Sequence, residues 1–556
     1  MSLPSVLLAL LLYLTGVVFY SSLFLVTANQ DEVAQTMKIA VAGLHVLPLI
    51  LAVFLAQSGR IYLRIAGYLM IVGWIVYAIA LVGFYRYFGF VPEVYTFGAG
   101  ALGDLGEVLD HYVAQVLGVQ EILLAVLGVA ILIVVARFPL SPRMVLLPAL
   151  SLALIGASVA LYGSPARSER FGNAAVLKHF GPFVFLARSA GSGLLLEDGP
   201  LAPPQAFPGP LAALGNDGSD PPRSVPPPEG LEHVVLVQIE SFDPEAIDAI
   251  LSGQPVMPFV QALRDRCLTF EKHFTVKGAG GSADAEFAVA TGLVPSLTLP
   301  ALTHYDYARP TLYDDLAAAG VTATFAHDND AGFYGRNEAY ARMPDVRTVF
   351  LDPGQIVAER EFATDTLGDT LAAPGRSLHY FFNFKSHGPY RGYSAETEAR
   401  FAADETPGLR FDYLATMSEV DAMIEALFDR QGADYDEGRS LFVLTADHPS
   451  YVFSSGDTIS KFRIPMLLCH RDIAPRSVER VTSTVDLHAT LRALFGLEPG
   501  ATTLGRSLLE GGSDVALLPS GLLVRPGPSG VPQAAECGAP CARYIAYTEQ
   551  YLSARP

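Results

Sequence analysis

The sequence predicts two structural parts: an N-terminal bundle of five transmembrane helices, then an α/β domain with a mostly parallel central sheet. Three observations carry this. Apolar residues make up 51% of the 556, and the mean hydropathy is +0.34. That is too apolar for an ordinary soluble protein, yet 17% charged residues are too many for a pure membrane bundle. The two kinds of residue are also segregated, with nearly all long apolar runs before residue 163 and most Asp, Glu and His after 230. Finally, from residue 232 short β-rich apolar runs alternate with helical stretches, the pattern of βαβ units.

A membrane-spanning helix needs about 20 apolar residues. Five segments approach or meet this: 4–26, 38–56, 65–85, 116–136 and 144–162. The fourth is the weakest, because Gln120 and Glu121 interrupt it. A cleaved signal peptide is the alternative for the first, but it has no basic leader and its apolar run is long for one. Arg60 and Arg64 flank the turn between helices two and three, and Arg137 and Arg143 the turn between four and five. The intervening loops carry Asp31, Glu32, Glu93, Asp104, Glu107 and Asp110. Basic loops stay inside, so the N-terminus is expected in the cytoplasm and everything after residue 163 outside the membrane. Residues 164–231 then read as a surface segment and a linker, with ten prolines between Pro200 and Pro228 favouring extended backbone.

The catalytic part is expected over 232–556. In open parallel sheets, ligands sit at the carboxyl ends of strands. The run 233–239 ends in Glu240-Ser241-Phe242-Asp243, and the run 321–326 in His327-Asp328. The run 378–384 ends in Lys385-Ser386-His387, and the run 441–445 leads to Asp447-His448. One carboxylate after a strand is more often a turn former or helix cap than a ligand. Four such ends in one sheet are harder to explain that way, and Glu, Asp and His are competent donors to a divalent cation.

Between the first two runs lies Gly278-Ala279-Gly280-Gly281-Ser282, opening a helix expected over 283–291. Glycines permit a sharp turn and close approach to a ligand. The helix N-terminus favours an anion. Ser282 is therefore a nucleophile candidate, with a plain N-cap as the alternative role. A neighbouring metal would supply the activation that a free hydroxyl lacks.

With these residues in place, the chain resembles the lipoteichoic-acid-synthase-like phosphoglycerol transferases of the alkaline phosphatase and sulfatase superfamily. The motifs are I-E-S-F at 239–242, G-G-S-A-D-A-E-F at 280–287, G-R-N-E at 335–338, S-H-G-P at 386–389 and A-D-H at 446–448. Segments 484–491 and 505–509 look like the superfamily's closing motifs. The resemblance implies an alkaline-phosphatase/sulfatase-like fold. It implies one divalent ion, Mn²⁺ before Mg²⁺ or Zn²⁺, held by Glu240, Ser282, Asp447 and His448, with Ser282 as catalytic nucleophile where the family usually has threonine. It implies headgroup contacts from His327, Tyr334, Arg336 and His387; Tyr334 falls where the best-known members have tryptophan. It further implies a bacterial plasma membrane location. The donor would be a membrane phospholipid, phosphatidylglycerol, and the acceptor an extracytoplasmic glycan, polymer or glycolipid.

Several classes are disfavoured. A net charge of −19 without a Lys/Arg cluster argues against a nucleic-acid partner. Formylglycine sulfatases need Cys or Ser followed by x-Pro-x-Arg, whereas Ser282 is followed by Ala-Asp-Ala-Glu. Phosphoethanolamine transfer and lipid hydrolysis remain the alternative activities. Of the four cysteines, Cys537 and Cys541 are spaced for a short disulfide outside the cytoplasm.

Overall fold

A computed structural model describes residues 7–8, 10–16, 18, 47–88, 119–138, 206–215, 224–278, 281–296, 300–305, 307, 311–332, 335–351, 359–388, 390, 393–401, 408–450, 452–453, 459–500, 502–518, 521–527, 530–537 and 539–552. The chain divides into two compact units, Met1–Gly199 and Pro200–Pro556.

In the first unit, helices α1 (Leu47–Ala56), α2 (Ile61–Phe88) and α3 (Val119–Arg137) pack in sequence. Leu49 and Val53 meet Ile71, Ile75 and Ala78, with Leu124 and Ile131 in the same cluster. Gly67 allows the close approach of α1 and α2, since a Cβ there would lie 2.2 Å from the Ala56 nitrogen. The outer faces are apolar too: Ile65, Leu69, Val72 and Val76 on α2, and Ile122, Val126, Val129 and Ile133 on α3, are exposed. Both sets follow four-three-four spacing, so each helix carries apolar stripes inward and outward, as lipid-facing helices do. Ile61–Val82 is the one described helix long and apolar enough to cross a membrane. Of the five expected crossings, the first, second and fourth are described only in part, and 144–162 lies outside the described residues.

The second unit is built on a nine-stranded sheet. Its strands are β1 (His233–Ile239), β2 (Leu268–Phe274), β3 (Val321–His327), β4 (Val346–Phe350), β5 (Arg376–Phe382), β6 (Ser440–Ala446), β7 (Arg463–Ile464), β8 (Met466–Cys469) and β9 (Arg476–Ser483). The spatial order is β9-β2-β8-β6-β1-β5-β3-β4, with β7 paired to β2. The sheet is mostly parallel, as expected. The exceptions are β8, antiparallel to both β6 and β2, and the short β7. Alternation along β1 sends Val235, Val237 and Ile239 into one core, with Phe362 and Leu367 of α7 (Glu359–Ala372) and Val420, Ile424 and Leu427 of α8 (Leu409–Asp436). Helices α4 (Ala283–Thr291), α5 (Leu312–Ala318) and α9 (Thr484–Leu494) pack against one another as a separate group. The short α6 (Arg336–Tyr340) sits between α5 and α7 in sequence.

The proline-rich stretch differs from a free spacer where it is described. Leu211 and Leu214 are buried, the Leu211 N–H donates to the Leu504 carbonyl (2.8 Å), and the Val225 N–H donates to the Leu509 carbonyl (2.7 Å). Apolar residues scattered among the prolines supply the anchors. The C-terminal end adds a three-stranded antiparallel sheet, β10 (Ala516–Leu517), β11 (Leu522–Pro526) and β12 (Pro532–Glu536), and helix α10 (Ala539–Glu549). Cys537 and Cys541 are disulfide-bonded at the start of α10. A second disulfide, Cys267–Cys469, was not read from the sequence. It became possible because β8 inserts antiparallel beside β2, setting Leu468 opposite Leu268 and the two cysteines one residue further on.

Candidate active site

Register builds the site. In the parallel pair of β1 and β6, Ile239 lies opposite Ala446, so the next residues, Glu240 and Asp447, leave the sheet side by side. The Asp447 N–H donates to the Ile239 carbonyl at 3.3 Å and prolongs the pairing past the strands. His448 follows directly. One donor atom each from Glu240, Asp447 and His448 lie within 4.8 Å of one another, and all three residues are buried. His448 Nε2 stands 3.3 Å from Glu240 Oε1 and 3.2 Å from Asp447 Oδ2.

Ser282 reaches the same point from β2. The chain leaves that strand through Thr275, whose hydroxyl donates to the Asp447 carbonyl (2.5 Å), and Lys277, then turns at Gly281 (φ +60°). A positive φ is the conformation only glycine adopts freely. Ser282 Oγ lies 3.3 Å from Glu240 Oε1 and 3.3 Å from His448 Nε2. Helix α4 spans the expected 283–291. The N-cap alternative for Ser282 is not what its hydroxyl does: the residue already has helical angles (φ −59°, ψ −34°) and makes no side-chain cap bond.

The electrostatics favour a cation. Burial raises Glu240, but the hydrogen bond and charge of His448, with His387 and Lys277, hold it below the usual carboxylate range. Burial and the adjacent Glu240 push Asp447 up to about 7. Burial lowers Lys277 to about 8, against the pull of Asp447, Glu240 and Asp284. Asp447 Oδ2 is buried with no hydrogen-bond partner, a costly state unless something positive meets it. Two carboxylates, one imidazole and one hydroxyl around that orphaned oxygen are a donor set that fits a divalent ion.

The other predicted residues fare unequally. His327 is the last residue of β3, fully buried, with its ring stacked on Phe382 (5.0 Å, 12°). Its Nδ1 is 2.8 Å from the Phe382 carbonyl, so Nδ1 is the protonated nitrogen and Nε2 an acceptor, buried and unpartnered. Burial and Arg336 lower its pKa well below the ordinary value, keeping the ring neutral. Arg336 is also buried, but its Nε and Nη2 grip Glu286 (Nε–Oε1 2.9 Å, Nη2–Oε1 2.6 Å). The open fork expected for phosphate is thus engaged along one edge. His387 is half-buried in the turn after β5, stacked on Phe384 (4.9 Å, 17°). Tyr334 lies outside the described residues.

Sequence reasoning missed the groups that hold these residues. Asn383 Oδ1 accepts from the Glu240 N–H (2.8 Å), and its Nδ2 donates to Glu359 (2.9 Å) and Ser386 Oγ (3.1 Å). The Ser386 hydroxyl donates to the Glu240 carbonyl (2.6 Å). A lone Asn inside the apolar run Tyr380–Phe384 was the available signal. Glu286 takes Arg336 and the Tyr340 hydroxyl (3.2 Å) together.

Sheet order, the ligand cluster and the serine beside it define a class. The family model described as Sulfatase matches residues 232–497, and this segment is a sulfatase-family domain. Within that class the motif resemblance holds. The chain is 22% identical over 312 residues to lipoteichoic acid synthase-like YvgJ of Bacillus subtilis (strain 168), covering 50% of each chain. It is 21% identical over 313 residues to lipoteichoic acid synthase 2 of the same organism, covering 51% of this chain and 47% of that one. The chain thus spans about half the length of the curated relatives it matches. The lipoteichoic acid synthase LtaP from Listeria monocytogenes shares the fold, with a TM-score of 0.50 at 16% identity over 61% of this chain and 93% of that one.

Proposed function

We propose that the protein is a membrane-anchored, metal-dependent transferase that moves phosphoglycerol from phosphatidylglycerol to an extracytoplasmic glycan, polymer or glycolipid. One observation carries the reading: Ser282 Oγ stands 3.3 Å from both Glu240 and His448, in the cluster they form with the buried Asp447. Glu240, Ser282, Asp447 and His448 would hold one divalent ion, Mn²⁺ first. When bound, that ion lowers the pKa of a coordinated hydroxyl and offsets phosphate charge.

The chain's own residues do the rest. Ser282 releases its hydroxyl proton to solvent, its oxygen attacks phosphorus, the bond to the diacylglycerol oxygen breaks, and phosphoglycerol remains esterified to the serine. His387, on the half-buried rim, donates a proton to the departing oxygen. Neutral His327 offers its Nε2 lone pair to a headgroup hydroxyl, and the Arg336 guanidinium, held by Glu286, adds positive charge towards the phosphate. An acceptor hydroxyl then gives its proton to His387 and attacks phosphorus, and the bond to Ser282 Oγ breaks, leaving the serine to be reprotonated. The departing diacylglycerol stays in the bilayer, which explains joining such a site to helices with apolar outer faces. Both disulfides agree with a site outside the cytoplasm.

Intact-mass measurement after incubation with phosphatidylglycerol tests the proposal. An adduct of glycerophosphate mass on the Ser282 peptide is expected. Release of free glycerophosphate without transfer to any offered acceptor would move the reading to a hydrolase.

A further inference from the structure

The turn that delivers Glu240 contains an anomaly the reaction does not use. Ser241 sits at φ +56°, one of four described non-glycine residues with positive φ. An L-residue with a Cβ is disfavoured there, and such strain persists only where surrounding contacts enforce it. The contacts are present. The Tyr413 hydroxyl, projecting from α8, donates to the Ser241 carbonyl (3.1 Å) while accepting from the Asp243 N–H (2.9 Å), so both sides of the turn hang on one phenol. The strained turn has a consequence at its other groups. The Ser241 hydroxyl donates to Glu240 Oε1 (3.0 Å), and its N–H donates to Asp447 Oδ1 (2.9 Å).

The geometry points to Ser241 as a positioning residue that clamps the two carboxylates of the metal site, an inference that rests on the metal reading above. The Asp447 bonds are specific in what they leave over. Oδ1 accepts from both the Ser241 and His448 N–H groups (2.9 and 2.7 Å), whereas Oδ2 takes no backbone N–H and lies 3.2 Å from His448 Nε2. The carboxylate is therefore rotated so that one oxygen is anchored to backbone and the other faces the cluster. The Glu240 oxygen held by Ser241 is the same one that Ser282 and His448 approach. With ψ and φ relaxed to an ordinary extended conformation, the N–H and the hydroxyl would not point to two carboxylates on different strands. Removing a group that orients metal ligands through hydrogen bonds typically lowers metal affinity by about 10–100-fold.

The test compares the full chain in detergent with Ser241→Gly and Ser241→Ala, using Mn²⁺ alone as the probe. Free Mn²⁺ is read by electron paramagnetic resonance, and thermal unfolding of the metal-free proteins by circular dichroism. Wild type should bind one equivalent. Ser241→Gly, which removes the hydroxyl and suits a positive φ, should unfold at the wild-type temperature or above while its Mn²⁺ affinity falls about 10–100-fold. Ser241→Ala should lose similar affinity yet unfold below Ser241→Gly, because its Cβ keeps the strain. Mn²⁺ binding within about twofold of wild type in both variants overturns the role of Ser241 and leaves the metal reading intact. A lower unfolding temperature for metal-free Ser241→Gly than for Ser241→Ala would refute the strained-clamp account. Wild type that binds neither Mn²⁺ nor Zn²⁺ overturns the metal reading itself.

Discussion

Replacing Glu286 by Gln should destabilise the catalytic domain severely, and the structure gives the size of the effect. Glu286 stands on α4, one helical turn after Ser282, and both it and Arg336 are buried to within 1% of completely. Three Arg336 contacts and the Tyr340 hydroxyl converge on its two oxygens. The guanidinium also lies 5.3 Å from the Phe382 ring centre. Burial raises the Glu286 pKa despite Arg336, the mark of a carboxylate that depends on its partner to stay ionised. Removing one member of such a pair strands the other charge in an apolar interior, at about 3–5 kcal/mol. For a domain of this size that corresponds to a fall of roughly 6–10 °C in unfolding temperature, at about 2 °C per kcal/mol. The assay is circular-dichroism melting of Glu286→Gln, Arg336→Met and the double variant. The double variant should recover part of the loss, because an empty pair is better than a broken one. A Glu286→Gln protein that melts within 2 °C of wild type, a shift of about 1 kcal/mol or less, would refute the claim that this buried ion pair between α4 and α6 holds the domain together.

Other outcomes follow from the same geometry. Ser282→Ala should lower turnover by on the order of a thousandfold or more and abolish the mass adduct, whereas a turnover near wild type would remove Ser282 from the chemistry. Chelation with EDTA should abolish transfer, and added Mn²⁺ should restore it, as measured by radiolabelled glycerophosphate incorporation. The disulfides should differ in worth: opening Cys267–Cys469, which closes a separation of 202 residues, should cost about 5 kcal/mol, against about 2 kcal/mol for the separation of 4 in Cys537–Cys541. Denaturant melts of the paired Cys→Ser variants will rank them. Asp486 accepts from the Ser483 N–H, the Arg506 N–H and the Ser513 hydroxyl, and burial raises its pKa to about 6. Its folded state thus holds the proton more tightly than the unfolded chain, so its contribution is complete below about pH 4 and is lost as pH rises towards 6. Asp486→Asn should flatten that part of the stability–pH curve, read from melting temperatures at half-unit pH intervals.

The sequence alone determined the alternation of strands and helices, the N-terminal apolar segments, and which residues stand at strand ends. Each of these is local. Burial on both faces makes the strands continuous apolar runs, and the first polar residues after them mark the ends. Helix α4 was legible to the residue because Gly281-Ser282 marks its start and Gly292 its end. Glu240, Ser282, Asp447 and His448 could be nominated in this way, and tertiary structure brought them together.

Adjacency and orientation were decided only by the fold. That Glu240 stands beside Asp447 follows from the pairing of β1 with β6, two segments some 200 residues apart. The Cys267–Cys469 bond follows from one antiparallel strand in an otherwise parallel run. Arg336 looked like an open phosphate fork in sequence; its carboxylate partner lies on another helix, and no local pattern announces it. The strained turn at Ser241 is also invisible to propensity, because a phenol from α8 imposes it. Local residue preferences write the elements, whereas contacts between distant segments choose which side chains share a site. Those contacts arise only when the apolar faces close on one another.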